Sequence, residues 1–253
     1  MSYALVRDVP PSITRCEVTH LAREPIDVDR ARRQHAAYRE RLAELGCGVR
    51  ELPPAPGLPD SVFVEDTAVV LDELAVITRP GAPSRRPEVE PVAEALARYR
   101  DLARIEAPAT LDGGDVLCLG ERILIGETPR SNAEGIRQFR EAVAPFGYTV
   151  SAAPVDDCLH LKSAVTRVAA EALLLNPGWV DPALFPGFRC LEVDPHEPFA
   201  ANALAIGDQV LLPAAWTGTR GRLEEAGLRV VTVAADELAK AEGGLTCCSL
   251  VFD

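Results

Sequence analysis

The stretch Asp115-Val-Leu-Cys-Leu-Gly-Glu-Arg-Ile-Leu-Ile-Gly126 reads as two short apolar strands joined by a Gly-Glu-Arg turn. Its apolar runs are too short for a helix, and the glycine punctuates them as a hairpin does. The arrangement returns along the chain. Asp66-Thr-Ala-Val-Val-Leu-Asp-Glu-Leu-Ala-Val-Ile-Thr78 turns at an Asp-Glu pair. Asn202-Ala-Leu-Ala-Ile-Gly-Asp-Gln-Val-Leu-Leu-Pro213 turns at Gly-Asp, a pair that favours hairpins, and residues 163–175 repeat the pattern less regularly.

Each hairpin is followed by a helical stretch and one more strand. Residues 90–99 have helical apolar spacing, and 103–107 extend after them. Ser131-Asn-Ala-Glu134 predicts a capping box opening a helix to about residue 144, before a strand over 148–155. Residues 180–187, among prolines, predict only a degraded helix before a strand at 190–193. Residues 220–226 and 229–234 supply the next helix and strand. The fifth unit joins the two ends of the chain: 248–252 pairs with 3–7, followed by a helix over 28–45 and a strand over 49–52. A strand-strand-helix-strand unit repeated with a period of about 40–50 residues predicts an α/β protein, a five-fold pseudosymmetric α/β propeller spanning residues 1–253 as a single domain. A dinucleotide-binding fold fits less well, because no Gly-x-Gly-x-x-Gly stands between a strand and a helix.

Composition narrows the function. At 47% hydrophobic and 25% charged residues, the chain matches soluble globular proteins rather than disordered ones. A net charge of −12 disfavours nucleic acid or an anionic membrane as partner and suits a cationic small molecule. The N-terminal residues carry no basic stretch ahead of an apolar one, and no run nears the ~18 apolar residues of a membrane span. Seven scattered cysteines, an odd number without Cys-x-x-Cys, predict reduced thiols in the cytoplasm and no structural zinc.

Unusual polar residues concentrate where the hairpins begin. Pro59-Asp-Ser-Val-Phe-Val-Glu-Asp-Thr67 sets Asp60, Glu65 and Asp66 among apolar neighbours. Neighbouring side chains of a strand point to opposite faces, so Glu65 and Asp66 are not both expected in solvent, although a turn with solvated acids is the plainer alternative. Thr110-Leu-Asp-Gly-Gly-Asp-Val116 places two glycines between two aspartates, as a tight turn or a close ligand approach requires. Of four histidines only His160, in Leu159-His-Leu-Lys-Ser163, stands between apolar residues at a hairpin mouth. Gly243-Gly-Leu-Thr-Cys247 leads into the last strand. In a propeller such positions converge on the axis, which would bring Asp66, Asp112, His160 and Cys247 together. A thiol beside an imidazole is a nucleophile with a proton shuttle. The surplus carboxylates suit a guanidinium, whose flat fork of N–H donors pairs with them and whose central carbon is open to sulfur.

Read in order, Phe63-Val-Glu-Asp-Thr67, Ile77-Thr-Arg-Pro-Gly-Ala-Pro-Ser-Arg-Arg86, Leu111-Asp-Gly-Gly-Asp115, Asn132-Ala-Glu-Gly135, Leu159-His-Leu-Lys-Ser163 and Gly244-Leu-Thr-Cys-Cys-Ser249 resemble the motifs of the dimethylarginine dimethylaminohydrolases, guanidine-modifying enzymes of the pentein superfamily. The resemblance spans essentially the whole chain and implies the five-unit propeller. It further implies that Cys247 attacks the guanidinium carbon of a methylated arginine, with His160 as acid and then base, and that Asp112 binds a guanidine nitrogen and helps hold His160. Glu65 or Asp66 would hold the unsubstituted side of the guanidine, and Asp60 the α-amino group. Arg85 and Arg130 would take the α-carboxylate, Leu21 would belong to a mobile flap, and the Ala241 carbonyl would touch substrate. No cofactor and no metal are implied, and the state is a monomer or homodimer. Cys248, next in a strand, would face away and pack. Pro83, Pro87 and Pro129 depart from the family pattern and stiffen the segments carrying both arginines. Two alternatives stay open: a deiminase or amidinotransferase with the same chemistry on another guanidine, and a non-enzymatic propeller of the ribosomal anti-association type.

Overall fold

A computed structural model describes residues 2–253. Its strands form five three-stranded sheets, each built alike. In the sheet of Val116–Leu119, Arg122–Glu127 and Thr149–Pro154, the first pair is antiparallel in the register Val116↔Ile125 and the second parallel in the register Arg122↔Thr149. Ala68–Val70, Leu74–Ile77 and Asp101–Arg104 repeat this, as do Val165–Ala169, Ala172–Leu175 and Arg189–Glu192. Leu204–Ile206, Gln209–Pro213 and Arg229–Val233 make the fourth sheet. The fifth joins the chain's two ends: Leu250–Phe252 lies antiparallel to Tyr3–Val6, which runs parallel to Gly48–Glu51.

A parallel pair needs a crossover, and here a helix supplies it in four units. These helices are Val28–Glu44, Val89–Leu96, Ala133–Val143 and Thr217–Glu225. In the remaining unit only the 3₁₀ turn Pro182–Leu184 intervenes, as the prolines predict. Val28–Glu44 buries Ala31, Gln34, His35, Tyr38 and Leu42, one stripe at helical spacing, and Asp27 caps it by accepting from the Arg30 N–H at 2.9 Å. The expected capping box is corrected. Asn132, not Ser131, caps Ala133–Val143, accepting from Gly135 N at 2.8 Å. Ser131 instead donates to Asp115, and Glu134 pairs with Arg137. Asp115 is fully buried, and a buried carboxylate needs hydrogen-bond donors, so it claims the hydroxyl that would otherwise cap the helix.

The five units form a five-bladed α/β propeller. Their first strands face the axis, where they line a cavity of about 620 Å³. The apolar interior is divided into five clusters, each shared by two neighbouring blades. One runs from Val69, Val76 and Ile105 across to Ile123, Ile125 and Phe139, and another from Leu117 and Leu124 to Val165, Leu173 and Leu175. The ring closes where Leu5, Leu250 and Phe252 meet Ala75, Ile77 and Leu96. A three-stranded sheet with one helix cannot cover both its faces alone, so each blade is completed by the next.

Every blade also begins with a single helical turn just before its first strand: Val64–Thr67, Gly113–Asp115, Leu161–Ala164, Pro198–Ala201 and Thr246–Cys248. The residues read as strand starts therefore sit on or beside turns. Glu65 and Asp66 diverge because they occupy a 3₁₀ turn, and Cys248 is buried away from Cys247 for the same reason. The glycines let these turns pack together, since a Cβ on Gly113 would lie 2.0 Å from the Glu65 carbonyl oxygen. Gly135 is as confined, its Cβ position lying 2.0 Å from the Thr110 carbonyl oxygen. Gly135→Ala is expected to lower unfolding stability by about 1–3 kcal/mol, the range for forcing a methyl into packed backbone. Urea unfolding would show this as an earlier midpoint with an unchanged slope.

Candidate active site

Four of the five opening turns carry the reactive groups, and the propeller brings them to one end of the axis. His160 precedes Leu161–Ala164, and its Nε2 lies 3.0 Å from Asp112 Oδ2. Asp112 precedes Gly113–Asp115; it is fully buried and accepts from the Gly81 N–H at 2.8 Å. Asp66 Oδ1 lies 3.8 Å from His160 Nδ1 and accepts from the Gly114 N–H at 2.9 Å. Gly114 permits this approach, because a Cβ there would meet both Asp66 and His160 at 2.7 Å. Asp115, also fully buried, accepts from the Leu161 N–H at 3.0 Å and so fixes the residue after His160. The Cys158 thiol donates to the carbonyl of His160 at 3.3 Å.

Electrostatics set the resting protonation. Burial by itself would lower the His160 pKa, but the carboxylates of Asp66, Asp115 and Asp112 raise it to about 9. Burial would raise Asp66, yet the charges of His160 and Arg85 hold it at about 2. Asp115 has less compensation, and burial lifts it to about 6. Burial also pushes the Cys247 thiol well above its ordinary value, and Glu65 and Asp66 add to the rise. The resting pair at neutral pH is therefore a protonated imidazole and a neutral thiol.

Cys247 and His160 face the same small cavity, of about 20 Å³, and so do Asp60, Asp66, Arg85, Arg130 and the Ala241 segment. Three of the residues expected at the site stand elsewhere. Asp112 lies behind His160. Glu65 turns away, with Oε1 2.5 Å from Lys162 Nζ and Oε2 accepting from the Thr246 hydroxyl at 2.6 Å. This pair and Thr246 also line the axial cavity on the opposite side, and so separate it from the thiol. Leu21 lines a neighbouring, more apolar cavity of about 620 Å³, together with Phe199, Trp216 and Ala235. Arg85 is buried and heavily committed. It pairs with Asp66 and, at 2.8 Å, with Glu88, and it donates to the Phe63 carbonyl at 2.8 Å. Arg130 is freer, bonded to the Thr19 hydroxyl at 3.1 Å with its Nη1 3.9 Å from Asp112.

The structure adds residues that the sequence reading left without a role. Lys162 lies in the quoted Leu-His-Leu-Lys-Ser motif and Asp115 in Asp-Gly-Gly-Asp, so both were in view. Glu242, whose carboxylate meets the 16–27 segment, gave no signal beyond its nearness to Cys247. Asp66, Asp112 and His160 also offer ligand atoms within 4.8 Å of one another, the spacing of a metal site. Their pairing with one another and with Arg85 satisfies them as an ion network.

No family model matches the chain. A Streptomyces coelicolor N(G),N(G)-dimethylarginine dimethylaminohydrolase is 43% identical over 98% of this chain and 95% of its own. The chain belongs to the dimethylarginine dimethylaminohydrolase family. A solved structure of the Pseudomonas aeruginosa member, a cysteine-to-serine variant complexed with citrulline, superposes with a TM-score of 0.94. It is 34% identical, covering 99% of this chain and 98% of that one. A second family structure, a histidine-to-glycine variant as an adduct with S-methyl-L-thiocitrulline, superposes with a TM-score of 0.93 at 34% identity, covering 99% of each chain. Among the described residues no helix is long and apolar enough to cross a membrane, and none of the seven cysteines is paired.

Two measurements check the charge network. In labelled protein the His160 ring is expected to titrate near pH 9, and Asp66→Asn to move that transition toward the ordinary value of about 6.5. The raised pKa contributes folding stability that is complete below about pH 6.5 and is lost as pH climbs through 9. Arg85→Met strands the buried carboxylates of Asp66 and Glu88 and is expected to cost about 3–5 kcal/mol in chemical denaturation.

Proposed function

We propose that this protein hydrolyses Nω-methylated arginines to citrulline and the corresponding methylamine, with Cys247 as nucleophile. One observation carries the reading: a thiol, a protonated imidazole and a buried carboxylate face one cavity whose other walls suit a cation with an amino-acid end. The family membership supports the same reading, as does the citrulline complex of the Pseudomonas aeruginosa enzyme.

The chemistry follows from the charges. Asp66, rather than the committed Glu65, would pair with the unsubstituted guanidine nitrogens. The arriving guanidinium offsets the negative field that keeps the Cys247 thiol protonated, so its proton is released to solvent and the thiolate adds to the guanidinium carbon. The tetrahedral adduct is neutral. His160, already protonated, gives its proton to the alkylated nitrogen, which departs as dimethylamine or methylamine and leaves a cationic S-alkylthiouronium on the sulfur. The neutral imidazole next takes a proton from water as that water adds to the same carbon. Breaking the carbon–sulfur bond, with the adduct's hydroxyl proton passing to the departing sulfur, yields citrulline and restores the neutral Cys247 thiol. Asp112 keeps the imidazole oriented in both steps through its 3.0 Å contact.

At the far end, Asp60 would receive the α-amino group and Arg130 the α-carboxylate, with Arg85 contributing its one remaining Nη1 donor. The Ala241 carbonyl would accept from the substrate. No step requires a cofactor, and the expected partner is a small cationic molecule, neither nucleic acid nor membrane. The cytoplasm is the compartment in which a reduced Cys247 would persist.

The test supplies asymmetric dimethylarginine, monomethylarginine and arginine to the protein and to Cys247→Ala, following citrulline and the released amine. Citrulline with an alkylamine, abolished in Cys247→Ala, is the expected result. Ammonia from arginine alone would make the protein a deiminase and overturn the reading.

A further inference from the structure

The segment over 17–26 forms no backbone–backbone hydrogen bond among the described residues, so side chains alone hold it over the site. Asp60 accepts from the Glu17 N–H at 3.2 Å, Ser84 donates to the Glu17 carboxylate at 2.6 Å, and Arg130 donates to Thr19. The largest set of bonds comes from one atom. Glu242 Oε1 accepts from three successive N–H groups, those of Thr19, His20 and Leu21, at 2.9, 2.5 and 2.6 Å. Consecutive amides converging on one point make an anion-binding concavity, and here a carboxylate of the same chain fills it. Glu242 reaches this position from a backbone φ of 59°, a left-handed conformation that a residue with a Cβ adopts at a cost. Its second oxygen, Oε2, is buried without a partner. Both features mark a side chain placed for the concavity rather than for its own comfort.

With the segment in this position the site cavity is about 20 Å³, room for little more than a water molecule. An arginine derivative is many times larger, so the segment must lift for substrate to reach Cys247. Two of its other contacts, Asp60 and Arg130, are groups that the substrate's α-amino and α-carboxylate would claim. Glu242 also lines this cavity, but neither charged end of the ligand is assigned to it. It also follows Ala241 and precedes Gly243 and Gly244, whose N–H points at Cys247 Sγ at 3.3 Å.

We propose that Glu242 is a carboxylate latch, a positioning residue that holds the 17–26 lid closed and ties its state to the loop carrying Cys247. The substrate class involved rests on the function proposed above; the latch itself does not.

Amide hydrogen exchange on the free protein tests it. In Glu242→Ala the amides of residues 19–21 should exchange at least about tenfold faster, as expected from losing even one hydrogen bond to a charged acceptor, with the Arg122–Glu127 strand unchanged. Glu242→Gln keeps an oxygen acceptor without the charge and should fall between. Unchanged lid exchange in both variants would overturn the latch, as would equal acceleration in the strand, which would make Glu242 a residue of general stability. The measurement needs no substrate, so a protein inert toward methylarginines would sink the proposed function and leave this result standing.

Discussion

The structure is organised around burying negative charge. Asp60, Glu65, Asp66, Glu88, Asp112 and Asp115 are all withdrawn from water near one axis. An isolated carboxylate in such a place would take up a proton rather than stay charged. Each has a specific neighbour, which for Asp60 is the Glu17 N–H. Arg85 serves Asp66 and Glu88, Lys162 serves Glu65, and His160 lies between Asp66 and Asp112. Backbone N–H groups of Gly81, Gly114 and Leu161 complete the shells of Asp112, Asp66 and Asp115. The tight turns, the paired glycines and the displaced helix cap all serve this accommodation. It also explains why the histidine rests protonated and the thiol neutral.

The site is assembled from opposite kinds of support. Its floor is rigid, since the ion pair of Glu65 with Lys162 and the Thr246 hydroxyl join three blades beneath the thiol. Its roof lacks secondary structure and rests on side chains. The contrast suits a pocket that must exclude water during chemistry and yet open for each substrate.

The repeat was legible because short apolar runs at hairpin spacing survive in every blade, even where prolines leave only a remnant of the helix at Pro182–Leu184. The site was legible as far as chemistry concentrates in sequence: Asp66, Asp112, His160 and Cys247 all precede or occupy the opening turns. What could not be read was which of two neighbouring acids faces the cavity. That depends on turn geometry at Val64–Thr67, and a strand's alternation gives the divergence without the assignment. The cap at Asn132 was missed because the need for Ser131 arises at Asp115, a residue outside the helix. Arg85 was expected to face a ligand, and its commitment to Asp66 and Glu88 is visible only once the chain is folded. Glu242 was invisible for a similar reason, its partners lying more than two hundred residues away.

The five apolar clusters, each belonging to two blades, give the ring a cooperative character that an open stack of repeats lacks. An open array can fray from either end while its middle persists. Here the strand Leu250–Phe252 lies beside Tyr3–Val6, so the ring has no end from which to fray. The turns that carry Asp66, Asp112, His160 and Cys247 belong to four different blades, so no three blades hold the full set. Cys247 enters with the last segment, just before the strand that closes the circle. The full set of side chains is thus brought together only when the ring closes.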